Sequence, residues 1–140
     1  MHRNAQHIAI TILALIAVCS HANAKAHHAN SVQAAPAVPG DATAGFEIFK
    51  SHCSACHGKQ GEGAALAPPL LGVVGARAAS STFTGYTAAL KASGAVWTPA
   101  KLDGFLSGPG KLIPGTAMMA SLPNAEDRQN LIAFLATLKK

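Results

Sequence analysis

Two cysteines and a histidine lie close together in the run Cys53-Ser54-Ala55-Cys56-His57. Residues three apart on a helix lie on the same side of a single turn, so both thiols can reach one partner. A Cys-x-x-Cys-His run is typical of the covalent attachment of a c-type haem, whose two vinyl groups bond the thiols while the imidazole approaches the iron. The run therefore predicts one haem c, bound covalently through Cys53 and Cys56.

Closely spaced cysteines also occur in zinc sites and in thioredoxin-like redox sites. A structural zinc site requires two further soft ligands, and the only other cysteine, Cys19, lies in a segment that we expect to be removed. A thioredoxin-like site requires a βαβ pattern, whereas this sequence shows no strand pattern. We therefore favour haem attachment over zinc binding or disulfide exchange.

The first 24 residues have the pattern of a secretory signal peptide. His2 and Arg3 form a basic start, residues 8–18 are an almost continuous apolar run, and small residues at 22–24 suit cleavage after Ala24. The apolar run is about half of the roughly 20 residues that a membrane-spanning helix needs, so we expect no stable membrane insertion. These features predict a periplasmic mature protein.

Two other functions are conceivable for the amino-terminal region, namely lipid attachment and metal binding. Cys19 would suit lipid attachment, but Val18 before it is branched, whereas such sites normally have a small residue there. We therefore read Cys19 as part of the signal peptide. Cleavage would expose Lys25-Ala26-His27, and an amino terminus with histidine third offers planar nitrogen ligands to Cu(II) or Ni(II). A tail with incidental histidines is the simpler interpretation.

The rest of the chain divides into a short leader and one domain. Residues 25–39 are rich in alanine, contain Pro36 and Pro39 and show no apolar periodicity, which predicts a flexible leader. Residues 40–140 are then the one domain. About a hundred residues with few aromatic side chains build only a small core. A bound macrocycle would supply the missing apolar volume, so we expect the haem-free chain to fold poorly.

The net charge of the mature chain indicates what kind of partner it would bind. After removal of residues 1–24 the chain keeps ten of its eleven lysine and arginine residues and all six acidic residues, a formal charge of +4. A mildly basic protein favours docking on acidic surfaces of partner proteins. Nucleic-acid binding has little support because no basic run with interleaved aromatic residues is present. Only Cys53 and Cys56 then remain as cysteines, which fits an oxidising compartment if both carry the haem.

Helix signals recur along residues 40–140 without a strand pattern or an internal repeat. Asp41 suits the start of a first helix that leads into the cysteine run, and residues 58–75 are a loop rich in glycine and proline. We therefore predict an all-α fold of four to five helices around one haem. The other expected boundaries are Tyr86 to Lys91 before Gly94, Thr98 with Pro99 to Gly108, and Asn124 followed by the apolar positions Leu131, Phe134, Leu135 and Leu138.

A haem iron with one histidine ligand has an open sixth position, and two methionines lie in the loop that follows Ile113. Pro114 and Gly115 stiffen and turn this loop, so a thioether there can be held at a fixed distance from a metal. A thioether favours ferrous iron more than a second imidazole does and so raises the reduction potential. On these grounds alone both Met118 and Met119 are candidates.

At this point the sequence resembles the class I cytochrome c family, and the resemblance runs along the whole domain. The cysteine run alone is shared by many unrelated haem proteins, whereas the ordered set of motifs is specific. The set consists of Gly40-Asp41, Gly45, Ile48-Phe49, Cys53-x-x-Cys56-His57, Pro68-Pro69-Leu70-x-Gly72, Tyr86, Trp97, Pro114-Gly115-Thr116-x-Met118 and Leu131-Ile132-Ala133-Phe134-Leu135.

The resemblance implies a bacterial mono-haem protein with a defined ligand set. Cys53 and Cys56 form the thioethers, and His57 and Met118 are the axial ligands. The Pro68 carbonyl accepts a hydrogen bond from the other ring nitrogen of His57, a contact that fixes the ring and strengthens the ligand. The spacing of the Pro-Gly-Thr-x-Met motif thus selects Met118 as the ligand.

The resemblance also assigns residues around the haem. Tyr86 and Trp97 donate hydrogen bonds to a propionate that would otherwise be a costly buried charge. Gly45 lets the first and last helices cross closely, with Phe49 and Phe134 packed around the crossing.

Three departures from the family pattern are visible. Phe105 falls where mitochondrial members place a tyrosine that bonds the methionine sulfur, so this sulfur lacks that donor and is expected to be displaced more easily. Arg77 is shifted by one from an arginine that some members use near a propionate, and it stays unassigned. The spacing from Phe83 to Tyr86 indicates one inserted residue.

The resemblance implies a periplasmic one-electron carrier that binds and transforms no substrate and is therefore not an enzyme. Its partners would be redox proteins that act as electron donor and acceptor. One alternative is a dedicated cytochrome subunit of a dehydrogenase or terminal reductase complex, which chain length does not distinguish from a free carrier. Another, motivated by Phe105, is a peroxidase-like or gas-binding haem with an open sixth position.

Overall fold

A computed structural model describes residues 39–140, in which six helices form the regular structure. They are α1 (Ala42–His52), α2 (Ser54–His57), α3 (Ala88–Ala92), α4 (Pro99–Ser107), α5 (Pro109–Leu112) and α6 (Ala125–Thr137). Outside these helices, the described range contains two isolated backbone bridges and no β-strand. The all-α prediction is confirmed, with one helical turn more than expected.

Several predictions concern residues outside the described range. They are the signal peptide at 1–24, the leader up to residue 38, lipid attachment at Cys19 and copper binding at Lys25-Ala26-His27. Among the helices of residues 39–140, none combines the length and the apolar character that spanning a bilayer requires.

Four helices begin at residues whose side chains accept hydrogen bonds from first-turn amides. Asp41 accepts two such bonds at the start of α1, at 2.7 and 3.3 Å. Thr87, Thr98 and Asn124 do the same for α3, α4 and α6. These contacts satisfy backbone donors that have no partner inside the helix. The starts predicted at Asp41, Thr98 and Asn124 are confirmed.

The predicted helix from Tyr86 to Lys91 begins too early. The hydroxyl oxygen of Thr87 accepts a hydrogen bond from the Leu90 amide at 3.2 Å, so Thr87 is the cap and the helix covers Ala88–Ala92. Tyr86 consequently lies in the preceding loop, where its side chain is free to contact other loop residues.

The cysteine run occupies its own helical turn. α1 ends at His52, and Cys53 departs from helical geometry with φ −121°, after which α2 covers Ser54–His57. The amides of Cys56 and His57 both bond the carbonyl of Cys53, at 3.1 and 3.0 Å. The break between α1 and α2 allows the two thiols and the imidazole to be oriented independently of the first helix.

The first and last helices cross at a glycine, as predicted. A Cβ atom at Gly45 would overlap the carbonyl oxygen of Asn130 and come within 2.8 Å of the Phe134 Cβ. The Phe134 ring packs between Phe46 and Phe49, with centroid distances of 5.3 and 5.2 Å. Only glycine permits this approach, because any side chain at that position would meet backbone atoms.

A second contact layer joins α4 to α6 and encloses the space where a cofactor would lie. Trp97, just before α4, packs against Phe105 with a centroid distance of 4.9 Å. Leu102 and Leu106 of α4 and Leu131 of α6 complete this buried layer. Burying each such side chain contributes about 1.5–3 kcal/mol relative to exposing it.

The long loop between α2 and α3 is tied to the rest of the domain by backbone hydrogen bonds. Gly72 donates to the Leu138 carbonyl at 2.8 Å, and Gly75 donates to the Trp97 carbonyl at 2.9 Å. The Trp97 amide in turn donates to Ala76 at 2.8 Å. These bonds fasten the middle of the loop, and residues on both sides of it, from Leu66 to Tyr86, line the central cavity.

Candidate haem-binding site

A cavity of about 560 Å³ lies between the cysteine turn, α4, α6 and the loops on either side. Its volume is within the usual range for cofactor sites, and its lining is mostly apolar. The lining includes all seven residues predicted for the site, namely Cys53, Cys56, His57, Pro68, Tyr86, Trp97 and Met118.

The imidazole of His57 is fixed by a single backbone contact. Its Nδ1 lies 2.8 Å from the carbonyl oxygen of Pro68. A carbonyl oxygen can only accept, so Nδ1 carries the proton and Nε2 keeps its lone pair. Burial lowers the pKa of His57 below its ordinary value of 6.5, with the Pro68 contact opposing this effect. The result is a neutral imidazole, which is the form that binds metals.

The thiols differ in their exposure to solvent. Cys53 is half-buried and Cys56 is exposed. Burial, followed by the proximity of Cys56, raises the pKa of the Cys53 thiol to about 11. A thiol with such a pKa is protonated at neutral pH, unlike the low-pKa thiolates of disulfide exchange sites. Between residues 39 and 140 no group of three or more His, Cys, Asp or Glu side chains is placed to hold a metal ion.

The two methionines occupy different environments. Met118 is half-buried and packs against the core, whereas Met119 is 88% exposed. A turn precedes them, in which Thr116 donates to the Ile113 carbonyl at 3.1 Å and Gly115 has φ +89°. Both methionines line the cavity, but only the Met118 side chain is packed against the core.

The tyrosine hydroxyl has a partner that the sequence did not indicate. Tyr86 Oη lies 2.7 Å from Ser81 Oγ, and Ser81 Oγ also accepts the Phe83 amide at 3.3 Å. The Phe83 ring packs edge-on against Tyr86 with a centroid distance of 5.2 Å. Ser81 lines the same cavity, and so does Arg77, which the sequence left unassigned. No motif contains Ser81, so sequence spacing gave no signal for it.

The cavity lining matches the chemistry of a haem. Two thiols on one turn suit the vinyl groups, and a neutral imidazole suits the iron. The apolar walls from α4 and α6 suit the macrocycle. Ser81, Tyr86 and Trp97 bring hydrogen-bonding groups to the cavity, and these suit the propionates, which are costly to bury without partners.

Comparison with known proteins agrees with this site. Residues 42–139 match the family described as cytochrome c. A cytochrome c of Tetrahymena pyriformis is 46% identical over 100 residues, which cover 71% of this chain and 90% of that protein. Cytochrome cH from Methylobacterium extorquens superposes with a TM-score of 0.65 at 38% identity, covering 70% of this chain and 99% of its own. Ferricytochrome c2 from Rhodopseudomonas palustris gives a TM-score of 0.64 at 30% identity, covering 71% and 99%.

The family match spans most of the chain, and the relatives align over nearly their whole length. The chain therefore belongs to the cytochrome c family, as a class I mono-haem electron carrier, not an enzyme, that holds one haem c covalently through Cys53 and Cys56.

Proposed function

We propose that this cytochrome is a periplasmic electron carrier in which His57 and Met118 are the axial ligands of the iron. The observation that carries the ligand assignment is that a fixed neutral imidazole and a half-buried thioether line the same cavity. When bound, the haem supplies the one-electron couple between ferrous and ferric iron. The protein residues hold and tune it.

His57 and Met118 have complementary tasks in this proposal. The hydrogen bond to Pro68 orients His57 and strengthens it as a ligand. The thioether of Met118 favours the ferrous state and so raises the potential. With both positions filled, little reorganisation accompanies electron transfer. Such a site suits a carrier better than a catalyst, which needs an open position.

The polar side chains of the cavity complete the assignment. We assign Tyr86 and Trp97 as donors to a haem propionate, since both line the cavity and a carboxylate in an apolar cavity needs partners. Ser81 bonds the Tyr86 hydroxyl. These groups stabilise a charge close to the iron and thereby influence its potential.

The ligand assignment is tested by carbon monoxide binding to the reduced protein. Met118→Ala should bind carbon monoxide rapidly and lose the sulfur-to-iron charge-transfer absorption of the ferric form. The matched variant Met119→Ala should behave like the parent protein, because Met119 is exposed. Rapid, complete binding by the parent protein would instead favour the gas-binding function that Phe105 suggested. Loss of the absorption in Met119→Ala would show that the ligand is Met119 rather than Met118.

The periplasmic location rests on the sequence of residues 1–24, with its basic start, apolar run and small residues before Lys25. Fractionation of expressing cells with amino-terminal sequencing tests it. A periplasmic protein that begins at Lys25 is the expected result, and an uncleaved chain in the cytoplasm would contradict it.

The partners in this proposal are redox proteins with acidic docking surfaces, since the mature chain carries a formal charge of +4. Cross-linking in cell extract tests this aspect. Capture of donor and acceptor as separate proteins is expected, with yields that fall as salt rises. Quantitative co-purification with one large enzyme would identify a dedicated subunit instead.

A further inference from the structure

The loop that carries Met118 has few backbone hydrogen bonds. No helix covers residues 113–124, and within the described chain no backbone–backbone hydrogen bond involves residues 117–121. The Met118 amide approaches only Thr116 Oγ1, at 3.4 Å. The Phe105 side chain, which lines the cavity, contains no donor for the sulfur. Apart from the packing of its side chain against the core, the position of Met118 therefore depends on how the two ends of its loop are fastened.

The carboxyl-terminal end of the loop is held through both the amide and the carbonyl of one residue, Leu122. The Leu122 amide donates to the carbonyl of Leu106 in α4 at 2.8 Å. The Leu122 carbonyl accepts from Nη1 of Arg128 in α6 at 2.9 Å, and the same nitrogen donates to the Pro123 carbonyl at 2.8 Å. Leu122 is buried, so this end of the loop is anchored four residues after Met118.

An ion pair orients the arginine that makes these contacts. Arg128 Nε donates to Asp103 Oδ1 at 2.8 Å. The Arg128 side chain is only 11% exposed, against 42% for Asp103. The planar guanidinium offers donors in fixed directions, so the bond to Asp103 aims Nη1 at the two carbonyls. Asp103 lies one turn before Leu106, and the pair thus joins α4, α6 and the loop at one point.

We infer that Asp103 and Arg128 are positioning residues for the sixth ligand, because their ion pair and the two carbonyl contacts fasten the loop and limit how often Met118 leaves the iron. This inference rests on the proposed ligation by Met118. Local opening of a loop is a separate event from global unfolding and has its own free energy. Loss of this clamp should accelerate local opening more than it lowers the stability of the whole domain.

The test compares the rate of carbon monoxide binding to the reduced holoprotein among variants. Arg128→Leu and Asp103→Ala should increase the rate at least tenfold and weaken the sulfur-to-iron absorption of the ferric form. Arg128→Lys keeps the positive charge but loses the planar guanidinium. Its rate of carbon monoxide binding should lie between those of the parent and Arg128→Leu. Asp103→Asn keeps an oxygen acceptor and should have the smallest effect. If Arg128→Leu or Asp103→Ala fails to fold with its haem, then the two conservative variants can still be compared with the parent.

Two controls separate positioning from stability. Ile132→Ala removes a buried α6 side chain that does not line the cavity, so it should lower the denaturation midpoint and leave the binding rate unchanged. Lys50→Gln removes the exposed pair with Glu47 and should change neither quantity.

The inference is overturned if Arg128→Leu lowers the midpoint as Ile132→Ala does while the absorption and binding rate stay at parental values. Met118→Ala identifies failure of a different kind. If that variant also binds carbon monoxide no faster than the parent, then the proposed ligation itself is wrong.

Discussion

At the scale of single residues, His57 and Tyr86 each make a hydrogen bond that leaves part of the side chain available to the cofactor. The Pro68 carbonyl engages His57 Nδ1, which leaves Nε2 for a metal. Ser81 Oγ accepts the Phe83 amide and bonds the Tyr86 hydroxyl. If Tyr86 donates its one proton to a propionate, then the Ser81 proton must point at the tyrosine oxygen. This fixes a directed chain from the Phe83 amide to the carboxylate.

Ser81→Ala tests this chain. Loss of the serine donor weakens the tyrosine bond to the ionised propionate, and a weaker bond to the charged form raises the propionate pKa. The pH dependence of the reduction potential should therefore move to higher pH. Ser80→Ala, at an exposed neighbour that also lines the cavity, should cause no such shift. An equal shift in the Tyr86→Phe background would show that Ser81 acts independently of Tyr86.

Burial of His57 predicts how stability depends on pH. Burial lowers the pKa of His57 below 6.5 in the folded chain, and an iron bound at Nε2 would compete with the proton and act in the same direction, so the unfolded chain binds the proton more readily than the folded one. Stability should then be complete above about pH 6.5 and decrease as the pH falls from there towards the folded pKa, by at most about 1.4 kcal/mol per pH unit for one proton. Urea midpoints of the haem-loaded protein, measured between pH 5 and 7, test this loss of stability. Midpoints that rise on acidification would contradict it.

At the scale of elements, the crossing of α1 and α6 fixes the frame around the cysteine turn. Gly45→Ala would place a Cβ against the Asn130 carbonyl, so the helices must separate. We expect a loss of about 1–3 kcal/mol in the free energy of unfolding, as for other overpacked sites. The control is Gly110→Ala in α5, where a Cβ meets nothing within 4 Å; it should be neutral or slightly stabilising. Equal urea midpoints for both variants would refute the close crossing.

The helix starts could be predicted because the signals are local. Asp41, Thr98 and Asn124 satisfy amides within three residues of themselves, so their side-chain chemistry decides the boundary. The α5 turn was missed because four residues are too few to show periodicity, although Pro109 suits a first helical position. The sequence pattern predicts a start at Tyr86 rather than after the Thr87 cap, because an apolar pattern alone does not locate the cap.

The contacts that depend on tertiary structure could not be predicted in the same way. The sequence motifs placed Pro68, Tyr86 and Trp97 at the cavity, where the structure also has them. Ser81 and Arg128 belong to no motif, and their partners are set by how a loop folds and how α4 meets α6. A charged residue on a helix is usually solvated, so spacing along the chain gives no sign that Arg128 is turned inward.

At the scale of the whole molecule, the cofactor is part of the core. The cavity of about 560 Å³ is bounded by residues of α4, α6 and the long loop, and most of its lining is apolar. An apolar cavity of this kind removes the packing that holds the helices together. The haem is thus expected to stabilise the fold as well as to carry the electron.

Removal of the haem tests this expectation. A Cys53→Ala/Cys56→Ala variant, which cannot attach the cofactor, should lose most of its helical far-ultraviolet circular dichroism and its cooperative thermal transition. Met119→Ala, produced alongside it, should retain both. A cooperative, fully helical haem-free protein would show that the polypeptide core is sufficient.

The proposed ligation is tested most directly by redox titration of the haem-loaded protein beside its Met118→Ala and Met119→Ala variants. We expect a single one-electron transition, about 59 mV per tenfold change in the ratio of oxidised to reduced protein. Its midpoint should fall in Met118→Ala, because the thioether favours ferrous iron, and stay unchanged in Met119→Ala. A midpoint that does not move when Met118 is replaced would contradict sulfur ligation by that residue.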